Sequence, residues 1–206
     1  MRHLVLAALL ACAVVPASAA TIVNGSFETQ GVGSFTGRTL LPAGSTALTG
    51  WKVDSGNIDL VSTYWNASNG RNSVDLNGTT RGSISTTILG MIVGRVYDIT
   101  FDMAANPDST PNTKVLSVAS GLDQQSFLRQ RAGSTRAAMN WATMLFSITA
   151  TSVNQLLTFR SLSTGAAGAA IDNVRIALVP VPLPATAPLA LAGLAALALI
   201  RRRKRA

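Results

Sequence analysis

Histidine and cysteine are almost missing from this 206-residue chain, which has one of each, His3 and Cys12. Both fall in a segment that reads as a removable leader, so the remainder of the chain has neither. That excludes Ser-His-Asp and Cys-His catalysis. It also excludes zinc held by imidazole or thiolate, and any disulfide. Acids are scarce as well: Glu28 stands beside eight aspartates. Glycoside hydrolysis needs two carboxylates at a set separation. Asp54, Asp59, Asp98 and Asp102 could supply a pair, yet Asp59, Asp75 and Asp102 lie in or beside candidate strands. A solvated face or strand-end hydrogen bonding explains them there, and no catalytic site is defined. The expectation is a protein that is not an enzyme.

Positive charge is scarce too once the ends are set aside. The formal +8 includes Arg2 and the terminal Arg201, Arg202, Arg203, Lys204 and Arg205, six of 17 basic residues. The other 11 face nine acids, a balance of +2 across residues 21–178. Nucleic-acid affinity rests on clustered Lys and Arg that release counterions, so no nucleic-acid partner is expected.

Long apolar runs occur only at the two ends. Arg2 and His3 precede an apolar run over residues 4–15, followed by Pro16-Ala17-Ser18-Ala19-Ala20. This is the order of a secretory signal peptide, assigned to residues 1–20 with cleavage after Ala19 or Ala20. The run is too short to span a hydrocarbon core of roughly 30 Å. At the other end, Val181-Pro182-Leu183-Pro184-Ala185 leads into an apolar stretch that ends at Ile200, and the basic cluster follows at once. A helix from Ala185 to that cluster would reach about 24 Å, enough to span with flanking arginines snorkelling. The basic cluster would stay cytoplasmic and the domain outside.

This terminus, residues 179–206, resembles the PEP-CTERM sorting signal, with its Pro-x-Pro element, short transmembrane helix and Arg-rich end. Leu183 stands where the commonest form has Glu. The resemblance implies processing by an exosortase, membrane anchoring through the C-terminal helix beforehand, and a cell-surface or extracellular product.

Between the ends, residues 21–178 form one expected domain. Short runs dense in β-branched and aromatic residues recur between Gly, Asn, Ser and Pro punctuation. They predict strands near residues 21–23, 48–53, 58–61, 73–76, 83–87, 95–103, 114–120, 124–128, 141–149, 156–161 and 169–177. No helical period follows the leader, so the fold class is all-β, a sandwich or jelly roll rather than a parallel sheet.

The order of Asn24-Gly25-Ser26-Phe27-Glu28, Gly50-Trp51-Lys52-Val53, Ser73-Val74-Asp75-Leu76-Asn77-Gly78, Tyr97-Asp98-Ile99-Thr100-Phe101-Asp102 and Ile171-Asp172-Asn173-Val174 resembles the choice-of-anchor C family. More distantly it resembles the galactose-binding-like β-sandwiches used as carbohydrate-binding modules. The resemblance implies a jelly-roll β-sandwich and an extracellular, glycan-associated role.

In sandwiches of that type the first and last strands run close together, bringing Glu28 near Asp172. Two carboxylates with backbone carbonyls suit a structural Ca2+. The alternative is that they cap turns or pair with Arg175 or Arg38.

Sugar binding would use aromatic faces. Trp51, Phe27, Phe101, Phe146 and Phe159 read as core. Tyr64 and Trp65 are adjacent, and in an extended segment neighbours point to opposite faces. Trp65 is the expected ligand-facing aromatic, with Tyr64, Asn66 and Arg71 beside it and Trp141 as a further candidate. The expected function is non-catalytic binding of an exopolysaccharide or envelope glycan. The alternatives are a structural envelope protein mediating protein–protein association and an undetected glycoside hydrolase.

Overall fold

The computed structural model describes residues 19–180. The predicted leader, apart from its last two residues, lies outside the described residues. So do Val181, Pro182, Leu183, Pro184, Ala185 and the segment after them.

Eleven strands follow one another without a helix: β1 (Arg38–Pro42), β2 (Lys52–Ser55), β3 (Asn57–Val61), β4 (Ser73–Asp75), β5 (Ser83–Ile88), β6 (Val96–Ala105), β7 (Thr113–Ser120), β8 (Asp123–Gln130), β9 (Ala142–Thr149), β10 (Gln155–Ser161) and β11 (Ala169–Leu178). They form a six-stranded sheet, β1-β3-β4-β11-β6-β9, and a five-stranded sheet, β2-β5-β10-β7-β8. Every pairing is antiparallel. The fold is the expected all-β sandwich.

Period-two alternation builds the core. In β6, Tyr97, Ile99, Phe101 and Met103 point inward and are almost wholly buried. Phe159 from β10 meets Phe101 edge-on at 5.0 Å, and Phe127 from β8 meets the same ring at 5.2 Å. Trp51 and Phe27 continue this file at 6.0 and 5.1 Å. Tilted and edge-to-face pairs of this kind add about 0.5–1.5 kcal/mol each beyond their buried area. Trp51 also donates its indole N–H to Asn24 O at 3.1 Å, as a buried indole requires.

Two predicted strands need correction. Residues 21–23 make only a single bridge, Thr21 to Leu89. The 48–53 segment is broken by Gly50, at φ 81°, where Trp51 N turns back to Leu48 O at 2.9 Å, so β2 begins at Lys52. The edge strand β1 has no counterpart among the predicted strands.

The chain's beginning is clasped to its end. β11 carries a bulge after Asp172, with Asn173 at φ 56°. The bulge turns the Val174 N–H out of the ladder and onto Gly25 O at 2.8 Å. A Cβ on Gly25 would lie 2.0 Å from Val174 O, so only glycine allows this approach.

Candidate functional site over the six-stranded sheet

Outward positions of the six-stranded sheet carry carboxylates in two directly opposed pairs, Asp59 with Asp75 and Asp172 with Asp102. Like charges facing each other across strands are destabilising unless compensated. Of the two sequence readings of Asp59, Asp75 and Asp102, the solvated face is corrected, since they are 5%, 0% and 7% exposed, while the alternative of hydrogen bonding agrees with the structure; Asp172 is fully buried. A lid made of two loops, residues 62–72 and 131–141, packs on this face, and its first loop reaches Asp102 and Asp172 through Ser68 and Asn69.

Each carboxylate is compensated from the lid or from a sheet end. Asp102 accepts from Ser68 Oγ at 2.6 Å, Thr143 Oγ1 at 2.7 Å and Asn173 Nδ2 at 2.8 Å. Burial pushes its pKa up, but these bonds and Arg175 outweigh that and hold it below the usual range. Asp75 accepts from the Asn77 and Gly168 N–H groups at 2.9 and 3.0 Å and from Asn106 Nδ2 at 2.5 Å. Its complete desolvation still raises the pKa to about 7. Asp59 pairs with Arg38 at 3.1 Å, at the sheet's β1 edge.

Trp65 is the centre of the lid. It is 4% exposed, packs with Val61, Ala104, Met139 and Ala170, and donates its indole N–H to Ser73 Oγ at 2.8 Å. This corrects the assignment of Trp65 as the ligand-facing aromatic: its faces are occupied by side chains of the sheet and the second loop. The alternation argument holds for the pair, since Tyr64 is the partly exposed member. Asn66 stitches the loops together, with its N–H on Arg136 O at 3.0 Å and its Nδ2 on Ala137 O at 2.8 Å. Trp141 closes the same seam through its indole N–H to Asn66 O at 3.0 Å.

Above the lid, Tyr64 lies under two guanidinium groups. Arg136 sits 3.9 Å and Arg38 5.0 Å from the ring centroid. The Tyr64 hydroxyl donates to Asp108 Oδ2 at 2.7 Å and accepts from Arg136, while Arg136 Nε reaches Asp108 Oδ1 at 2.9 Å. Partial burial raises the Asp108 pKa, but the hydrogen bonds from Arg136 and Tyr64 prevail and lower it. Arg38, Asp108 and Arg136 were not among the predicted site residues. They are far apart in sequence, and Tyr64 joins them: both guanidinium groups lie over its ring, and its hydroxyl and Arg136 both bond Asp108.

Glu28 and Asp172 converge as expected, on the same loop. Glu28 Oε1 accepts the Arg71 and Asn72 N–H groups, both at 2.8 Å. Asp172 accepts Asn69 N–H at 2.7 Å and Asn173 N–H at 2.6 Å. Both carboxylates thus act as turn caps, and Arg38 pairs elsewhere. Desolvation raises the Asp172 pKa to about 7, against its backbone hydrogen bonds and with a further push from Asp102. Two carboxylates without a cationic partner among the described residues, on one loop, are donor chemistry of the kind a hard divalent cation uses, with Glu28 Oε2 the oxygen of the two groups that no backbone N–H occupies. Among the described residues, no three or more acidic, His or Cys side chains gather.

Arg71 and Glu28 share a cleft of about 510 Å3 that Phe35, Thr36, Ser62 and Asn72 also line. The cleft lies at the end of the six-stranded sheet where β1 and β4 begin and β3 ends. Of the chain's aromatics, Phe35, Tyr64 and Trp141 are the three that are partly exposed. Phe35 lines the cleft, Tyr64 belongs to the first lid loop, and Trp141 directly precedes β9, which begins at the opposite end of the sheet. The outer face of the five-stranded sheet has none.

Fold and site together define an all-β, two-sheet antiparallel sandwich whose loops build a polar and aromatic surface over one sheet. More specifically, the chain belongs to the family described as "Protein of unknown function (DUF642)", whose model matches residues 20–177. It is 32% identical over 171 residues to halomucin of Haloquadratum walsbyi, covering 81% of this chain and 2% of the relative's length. Among solved structures it is similar to a family 35 carbohydrate-binding module from Clostridium thermocellum, at 13% identity and TM-score 0.45 over 67% of this chain and 97% of that one. It is also similar to the CBM22-1 xylan-binding domain of Paenibacillus barcinonensis Xyn10C, at 17% identity and TM-score 0.44 over 72% and 99% of the two chains. A family 61 module solved with β-1,4-galactotriose gives 18% identity and TM-score 0.43 over 79% and 100%.

Proposed function

We propose that this protein is exported, sorted by an exosortase through residues 179–206, and binds polysaccharide without catalysis at the surface over its six-stranded sheet. The observation that carries the binding reading is the segregation of aromatics. Eight of the chain's 11 aromatic side chains are buried, and the three partly exposed ones all lie in loops that flank strands of the six-stranded sheet, β1, β3 and β9, among arginine, asparagine and carboxylate groups. Sugar recognition combines apolar ring faces with convergent polar groups, and small-ligand sites generally have this composition. Export and sorting are supported by the sequence of the two ends and by the resemblance to choice-of-anchor C proteins.

A structural Ca2+ held by Glu28 and Asp172 belongs to the same proposal. It would brace the 68–72 loop, and through it the lid. The binding test is a titration of the purified protein with the host's exopolysaccharide, alongside the double variant Tyr64→Ala/Trp141→Ala. Saturable binding by the parent, weakened at least tenfold in a variant that stays folded, supports the reading. A folded parent that binds no glycan and instead assembles with concentration sinks it in favour of a structural, self-associating envelope protein. For sorting, deletion of residues 181–206 should abolish processing and surface delivery; unchanged processing would remove the exosortase.

A further inference from the structure

We infer that the cleft between Glu28 and Arg71 selects a carboxylated sugar, a uronic acid residue, within the polysaccharide. This deepens the binding reading above and rests on it.

The argument begins with charge partners. Around the site, Arg38 is neutralised by Asp59 at 3.1 Å and Arg136 by Asp108 at 2.9 Å. Arg71 makes no ion pair among the described residues, although Glu28 is beside it. The Glu28 Oε1 atom is committed to the backbone N–H groups of Arg71 and Asn72, not to the guanidinium. Meanwhile Arg71 Nε is tethered to Ser62 Oγ at 2.9 Å, which fixes the direction of the fork and leaves its terminal nitrogens free to donate. A planar guanidinium held in this way matches a carboxylate bidentately, and less of its freedom remains to be lost on binding.

The rest of the cleft specifies what must carry that carboxylate. Phe35 is partly exposed and is backed by the main core, so its ring is a fixed apolar wall. The second Glu28 oxygen and the Thr36 hydroxyl can accept hydroxyl donors. A ligand with a carboxylate for Arg71, C–H groups for Phe35 and hydroxyls for Glu28 is a sugar acid. The volume of about 510 Å3 lies within the usual range of small-ligand sites, roughly 300–1,000 Å3, and suits one or two sugar units rather than a long chain. A neutral hexose would leave the Arg71 fork unanswered, and a simple carboxylate would leave Glu28 and Phe35 unused.

The test is calorimetry on the full chain with calcium held constant. Four probes are compared: trigalacturonate, trimannuronate, a neutral galactotriose and a sulfated galactan oligomer. The better of the two uronates should bind at least tenfold tighter than the neutral trisaccharide. Arg71→Gln should collapse that ratio to within about twofold. Arg71→Lys, which keeps the charge and loses the fork, should lose most of it. Melting temperatures of both variants establish that they are folded. Equal affinity for neutral and uronate probes overturns the inference while leaving polysaccharide binding standing. So does a ratio that Arg71→Gln does not change. A sulfated oligomer bound as tightly as the uronate means that charge alone is read, and the carboxylate assignment fails. Failure of all four probes and of the exopolysaccharide refutes the underlying binding reading, and this inference with it.

Discussion

Replacing Trp65 with alanine separates two roles that a tryptophan can have at a binding surface. In the structure its side chain is buried in a small cluster with Val61, Ala104, Met139 and Ala170, apart from the main core. Truncating a buried tryptophan typically costs about 3–5 kcal/mol. The buried Ser73 hydroxyl also loses the indole N–H, a further loss of roughly 1 kcal/mol. Because the cluster is a satellite, the cost falls on lid opening rather than on the sandwich. At about 1.4 kcal/mol per tenfold, opening becomes roughly three to four orders of magnitude more frequent. Native-state hydrogen exchange reads this directly. The Asn66 amide, bonded to Arg136 O, and the Asn72 amide, bonded to Glu28, should exchange faster by that factor. Amides in β6 and β10 should be nearly unaffected. Trp65→Phe, which keeps most of the packing and loses only the hydrogen bond, should show a smaller acceleration. Unchanged exchange at Asn66 and Asn72, combined with lost glycan binding, would refute the reasoning and make Trp65 a contact residue after all.

The buried Asp75 makes stability depend on pH in a defined direction. Its folded-state pKa, about 7, lies above the ordinary 3.8, so the native state holds the proton more tightly than the unfolded chain. The contribution is present in full below about pH 4 and is lost as pH rises through 7. The melting temperature should therefore fall from pH 5 to pH 8, and Asp75→Asn should flatten that slope; a rising profile would contradict this. Gly25→Ala should destabilise the fold by about 2 kcal/mol or more, since its Cβ would meet Val174 O at 2.0 Å. A change below about 0.5 kcal/mol in urea unfolding would mean that the clasp yields easily. If calcium binds at Glu28 and Asp172, a chelator should lower the melting temperature of the parent but not of Glu28→Gln. Equal response, or none in either, would remove the metal.

Much of this fold was legible because period-two alternation is a local signal. In β6 the alternation of Tyr97, Ile99, Phe101 and Met103 with Asp98, Thr100 and Asp102 marks both the strand and its inward face. Arg38–Pro42 was invisible for the opposite reason: as a five-residue edge strand it buries one residue, Leu41, and ends in proline. The site was less legible. Alternation says that Tyr64 and Trp65 diverge, but which of them is buried depends on Met139, more than seventy residues away in the chain. The same lid buries carboxylates that would otherwise face water. Arg38 and Arg136 become site residues only because folding stacks both over Tyr64. The expectation that Glu28 meets Asp172, by contrast, came from the resemblance to galactose-binding-like sandwiches, and the structure brings both onto the 69–72 loop although residues 21–23 form only a bridge.

The position of β11 has a consequence for how the chain reaches its native state. The strand completed last is an interior member of the six-stranded sheet, between β4 and β6. Until Ala169–Leu178 is available, β1-β3-β4 and β6-β9 are two separate ribbons with open edges, and Gly25 has no Val174 to meet. Sheet closure is thus a long-range event spanning nearly the whole domain, the kind that makes folding slow. A chain threaded through a translocon with its N-terminus leading would remain pliable until its final strand emerged. Any product truncated before Ala169 would expose pairing edges that invite aggregation.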